Sequence, residues 1–168
     1  MRMKDLMTVE ALIMSTSVDL ELQIMTEAAW LPAQHQFDEW AVAALTEVEA
    51  PVELVIRIVD AIESHALNNQ FRDKDEPTNV LSFPFELPDD LPTELKNNHL
   101  GDLVICAPVM HQEAVEQNKP EVAHWAHIVV HGLLHLQGYD HQNESDATTM
   151  ESKEVKIMNR LGYPDPYA

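Results

Sequence analysis

The chain has one cysteine, Cys106, so no disulfide can form within it. It also lacks any run near the roughly 18 apolar residues of a membrane span, which excludes crossing or anchoring in a bilayer by a helix. The first residues, MRMKDLMTVEALIM, carry Asp5 and Glu10 where a signal peptide needs an unbroken apolar core. Together these absences lead to the expectation of a cytoplasmic protein. There are no internal repeats, low-complexity tracts or linkers, and 168 residues suit one domain. Basic residues are scarce: 10 Lys and Arg stand against 29 Asp and Glu, a formal charge of -19. Such an excess favours solubility and repels polyanions at long range, so DNA or RNA binding through bulk charge is disfavoured and any nucleic-acid site must be local.

What is present is an ordinary globular pattern. Residues 1–16 have no settled period and are read as an N-terminal extension, helical or flexible, ahead of one domain over 17–168. Val18, Leu20, Leu22 and Ile24 alternate with Asp19, Glu21 and Gln23, the period of an edge strand with one wet face. Phe37, Trp40, Ala41, Ala44, Leu45 and Val48 recur at threes and fours, predicting an amphipathic helix between Pro32 and Pro51. Leu54 to Val59 is nearly continuous apolar apart from Arg57 and reads as a buried strand. Asp60 can cap a helix over AIESHALNNQF. Strands are expected over 78–85, limited by Pro84, and over 101–107, with an acidic, proline-rich loop at 86–98. Helices follow at about 108–118 and 120–136, the second opened by Pro120, and a last one runs from about 144 to 161, stopped by Gly162 and Pro164. Strands and helices do not alternate strictly, which predicts an α+β fold: a small mixed sheet of about four strands with flanking helices.

The chemistry concentrates in HGLLHLQGYDH, residues 131–141. His131 and His135 are one helical turn apart and project from one face about 5–6 Å from each other. Gly138 can end the helix in a left-handed conformation, letting the chain turn back so that His141 reaches the same point. Three neutral imidazoles with an open fourth position are the pattern of a catalytic zinc site at the end of a buried helix. Imidazole also suits nickel, copper and iron, so spacing favours zinc without fixing it. The same ligand frame occurs in the metzincin proteases, H-E-x-x-H-x-x-G-x-x-H, where the glutamate is the general base; here that position is Gly132. Upstream, His124 and His127 extend the histidine stripe and are assigned to supporting the ligands or lining the cleft rather than to the ion, while Trp125 is assigned to the core. Asp140 either orients a histidine, accepts a proton from water, or is simply a loop acid.

Taken with FRDKDEPTNVLSFPFE at 71–86, GDLVICAP at 101–108 and LGYPDPY at 161–167, this motif resembles the YbeY family of metal-dependent endoribonucleases. The resemblance covers nearly everything from Val18 onward. It implies a central mixed sheet with the metal in a cleft, one zinc ion per chain held by His131, His135 and His141, and a functionally required arginine at Arg72. It further implies single-stranded or ribosomal RNA as substrate, with processing near the 3′ end of the small-subunit ribosomal RNA and ribosome quality control as the setting. A small-subunit ribosomal protein and the Era GTPase are the implied partners. Arg72 suits such chemistry because a guanidinium neutralises phosphate oxygens through planar, bidentate contacts. Asn79 and Ser82, in the second motif, are candidates for RNA phosphate contacts or for service to the sheet. A basic groove could draw only on Arg57, Arg72, Lys74 and the histidines. Two competing functions remain: a metalloprotease on the same ligand frame, against which Gly132 counts, and a non-catalytic metal-binding ribosome-assembly factor, which the acidic surface suits.

Overall fold

The computed structural model describes residues 18–48, 51–92 and 98–168. The expected extension over 1–16 and part of the 86–98 loop lie outside them. The fold is α+β, as expected. Strands β1 (Val18–Met25), β2 (Val52–Val59), β3 (Val80–Pro84) and β4 (His99–Cys106) form one mixed sheet in the order β1-β2-β4-β3. β1 pairs with β2, and β2 with β4, in parallel; β3 runs antiparallel to β4, from Val80 opposite Ile105 to Pro84 opposite Gly101. Among the described residues there are five α-helices: α1 (Gln34–Ala44), α2 (Ala61–Arg72), α3 (Ala107–Glu116), α4 (Glu121–Leu136) and α5 (Glu144–Arg160). None is long and apolar enough to cross a membrane.

Strand alternation sorts the sheet's two faces. Leu54, Ile56 and Ile58 of β2, Leu103 and Ile105 of β4 and Val80 of β3 join the large core with α1, α4 and α5. Val59, Leu81, Val104 and Cys106 point the other way into a smaller core, against which Leu67 of α2 packs. The one basic residue of β2, Arg57, belongs to that second face, where its guanidinium donates two hydrogen bonds to Glu63 of α2 at 2.6 and 2.8 Å. It is therefore a clamp between sheet and helix and is removed from any RNA groove. In the large core, Phe37 meets Trp40 and Trp125 edge to face, with centroids 5.3 and 6.0 Å apart. Each such pair contributes about 0.5–1.5 kcal/mol beyond its buried area. Trp125 is fully buried and is a core residue.

Several boundaries shift for local reasons. α1 stops at Ala44; Leu45 and Val48 continue its apolar face from a turn. Ala107 begins α3 rather than ending β4, with Pro108 in the first turn, where its missing N–H is harmless. β3 starts at Val80 because Thr78 is tied to α2: its N–H donates to Ser64 Oγ at 3.0 Å, and that hydroxyl donates back to the Thr78 carbonyl at 2.9 Å. Asp60 occupies the cap position of α2, but its carboxylate receives the Thr26 hydroxyl instead of a helix N–H.

Candidate metal centre

Helix α4 is the platform. It is buried on nearly every side, and it packs so closely on β4 that a Cβ at Gly132 would stand 2.9 Å from Leu103 Cδ2, so a side chain there would have to displace Leu103. This is the physical reason for glycine where the metzincin motif has its base. Gly132→Glu would press a carboxylate into the sheet core, and we expect it to destabilise the fold by about 3 kcal/mol or more. Chemical denaturation measures this; a variant as stable as the parent would mean that Leu103 gives way.

The helix ends in a Schellman motif. Gly138 is left-handed at φ 100°, Tyr139 N–H donates to the Leu134 carbonyl at 3.1 Å, and Gly138 N–H donates to that of His135 at 3.0 Å. The reversal carries His141 back beside the helix. Asp140 supports the turn by accepting the backbone N–H of His141 through Oδ1 at 2.8 Å. Ring centroids are 4.6 Å apart for His131 and His135, 5.2 Å for His135 and His141, and 5.8 Å for His131 and His141. One nitrogen from each ring lies within 4.8 Å of the others, a group able to hold a metal ion. The Nε2 atoms of His131 and His135 are 3.1 Å apart. Two ligands of a tetrahedral ion with Zn–N bonds of 2.0–2.1 Å stand about 3.3 Å apart, so the spacing fits a shared ion. Burial, reinforced by His131 and His141, lowers the His135 pKa below 6.5 and keeps this nitrogen available as a ligand near neutral pH.

Behind this cluster is a residue that the motif does not contain. Glu154 of α5 is completely buried, and its carboxylate accepts hydrogen bonds from His131 Nδ1 and from the Tyr167 hydroxyl. His127 Nε2 stands 3.6 Å from the same carboxylate, beyond hydrogen-bond reach. Glu154, His127 and His131 make a second group of ligand-type atoms, within which His131 Nδ1 is already hydrogen-bonded to Glu154. The geometry therefore gives Glu154 the role of fixing the His131 tautomer and turning Nε2 toward His135. Burial alone would raise the Glu154 pKa; His127, His131 and Tyr167 outweigh it and bring the value down to about 2. Because the folded pKa is depressed, this contribution to stability is complete above pH 4.5 and declines as pH falls toward 2. Glu154→Ala should cost about 3–5 kcal/mol by stranding buried polar partners. Glu154→Gln should keep the fold, weaken metal affinity about 10–100-fold and flatten that acid limb. Metal titration and acid denaturation read the two effects separately; unchanged affinity in the glutamine variant would reduce Glu154 to a packing residue.

The cluster opens into a cleft of about 870 Å³ that crosses the exposed edge of β3. His127, His131, His135 and His141 line it, and so does Arg72, the last residue of α2. The helix end is firmly held: Asp73 is left-handed at φ 57°, and Asn68, buried, donates to the Glu76 carbonyl at 2.7 Å. Arg72 itself is exposed, and among the described residues no ion pair or hydrogen bond engages its guanidinium. Asn79 and Ser82 also line the cleft, but the Asn79 amide already donates to Glu113 at 3.1 Å. Glu113 in turn holds His124 Nε2 at 2.9 Å, so His124 is a buried bracing residue, whereas His127 belongs to the cleft.

Three imidazoles converging on an open cleft, braced by a buried carboxylate, have the arrangement of a metal-dependent hydrolase. A family model described as endoribonuclease YbeY matches residues 21–162, and the chain belongs to that family. Its fold is similar to that of TM1509 from Thermotoga maritima, known from a solution structure: 23% identity over 84% of this chain and 91% of that one, with a TM-score of 0.54.

Proposed function

We propose that this endoribonuclease is zinc-dependent, prefers single-stranded RNA and matures the 3′ end of small-subunit ribosomal RNA in the cytoplasm, with a role in ribosome quality control. The observation that carries the reading is the pairing within one cleft of the three-histidine cluster and the Arg72 guanidinium, which no described residue engages. His131, His135 and His141 would hold one ion per chain. When bound, such an ion supplies Lewis-acid polarisation of the phosphate and acidifies a water. Arg72 receives the non-bridging oxygens of the scissile phosphate and stabilises the charge that builds there. Asp140, through the His141 backbone, and Glu154, through His131 Nδ1, keep the ligands in position.

The protease reading loses support because the residue at 132 is a glycine that faces Leu103, so the protease's base is missing and a side chain there would have to displace Leu103. The assembly-factor reading draws on the net charge of -19, which suits docking on a basic small-subunit ribosomal protein. The same charge makes delivery by partners, the Era GTPase among those the family suggests, a reasonable complement to catalysis. The test is cleavage of a single-stranded ribosomal RNA fragment by zinc-loaded protein beside folded Arg72→Ala and His131→Ala variants. Loss of cleavage in both supports the hydrolase; equal cleavage in all three, or none in the parent with its partners added, supports the assembly factor.

A further inference from the structure

Phe71 stands immediately before Arg72 on the last turn of α2, and 57% of its surface is exposed. A lone exposed phenylalanine needs no explanation. This one, however, lines the same cleft as the histidines. Its ring is also held in place, meeting Phe83 edge to face with centroids 5.2 Å apart and planes at 74°. Phe83 is itself a cleft-lining residue anchored against the smaller core, so Phe71 is held on one side while more than half of the residue stays open. Ile62 and Val115, which are more exposed still, lie outside the cleft.

The charge balance makes this ring informative. A chain with 29 acids and 10 basic residues has little Coulombic attraction for RNA. Of the Lys and Arg residues described, only Arg72 lines the cleft. Stacking on an aromatic face requires no cation and accepts any base, but only a base free of its own stack. A protein side chain would satisfy Phe71 equally well; the adjacent guanidinium, which no described residue engages, favours a base with its phosphate.

We propose that Phe71 is a base-stacking subsite: its ring receives one unstacked base while Arg72 takes the neighbouring phosphate, and single-strand preference follows from the requirement for a free base. This inference rests on the endoribonuclease reading of the cleft but is tested by binding. The probe is a short single-stranded oligoribonucleotide carrying one 2-aminopurine, mixed by stopped flow with metal-loaded protein so that stacking is read before turnover. Fluorescence should be quenched by the parent protein and by Phe71→Tyr. Phe71→Ala should abolish the quench and weaken binding about tenfold to a hundredfold, while loss of the contact with Phe83 lowers the melting temperature by only about 2–4 °C. The slope of log affinity against log salt should be about -0.7, as for one phosphate contact on a single strand. Quenching without later cleavage would refute the hydrolase and keep the subsite. Cleavage without quenching, or equal quenching by Phe71→Ala, would overturn the subsite and leave the hydrolase standing. If Phe71→Ala instead lost a protein partner while binding the oligonucleotide normally, the ring would belong to a protein interface.

Discussion

Replacing His135 with alanine should leave the purified protein without its ion and without endonuclease activity. His135 is the central member of the cluster, nearest both other rings and facing His131 nitrogen to nitrogen. Its removal leaves two imidazoles of the cluster, one of them the exposed His141 on a loop. Elemental analysis should fall from about one ion per chain to a small fraction, and activity should fall by about 10³-fold or more, because a Lewis acid is worth several kcal/mol in the transition state. The same residue sets the direction of the pH response. Its folded pKa is below the ordinary 6.5, so as pH falls the unfolded chain takes the proton first. The stability it contributes to the metal-free fold is therefore present above pH 6.5 and lost as pH falls through its lowered pKa. Protons compete with metal in the same sense: the ion should persist somewhat below pH 6.5 and leave as pH approaches about 5. An alanine variant that kept a full equivalent of metal, or a parent that kept it well below that pH, would require a ligand other than imidazole.

The three histidines were legible because helical spacing plus a left-handed glycine is a local property, and local geometry alone converts His131, His135 and His141 into one cluster. The strands of the mixed sheet were legible for the same reason, since alternation in β1 and continuous apolar character in β2 survive folding unchanged. Glu154 was not. It lies 23 residues beyond His131 in a helix rich in charge, and only tertiary packing joins the two. A signal did exist: Met150, Glu154, Ile157 and Met158 are the buried stripe of α5, so a glutamate occupies a core position of an amphipathic helix. A buried acid of that kind demands partners, and the sequence does not say which. Arg57 misled in the opposite sense. As an isolated cation in an acidic chain it was a natural groove residue, yet alternation puts it on the α2 face of β2, where Glu63 claims it. Gly132 shows a third case, in which the motif revealed the missing base but only the 2.9 Å approach to Leu103 revealed why.

Arg72→Ala should lower kcat by about 10²–10³-fold while metal content and melting temperature stay as in the parent. The second half of that expectation follows from exposure. Arg72 is on the surface, with no ion pair or hydrogen bond among the described residues, and substitutions at such positions usually move stability by no more than about 0.5 kcal/mol. The first half follows from what holds it. The left-handed turn at Asp73 and the bonds from Asn68 and Ser64 fix the backbone around the residue, so the guanidinium is presented to the cleft from a rigid end rather than from a wandering loop. A charge positioned in advance stabilises developing negative charge without reorganisation, and its loss is felt mainly in the chemical step. Arg72→Lys should recover only part of the rate, since an ammonium restores charge but not two parallel donors. Single-turnover cleavage at saturating RNA separates this from Phe71→Ala, which should act chiefly on binding. If Arg72→Ala raised KM and spared kcat, Arg72 would be a phosphate anchor on the substrate's flank, and the charge at the scissile phosphate would have to be met by the metal alone.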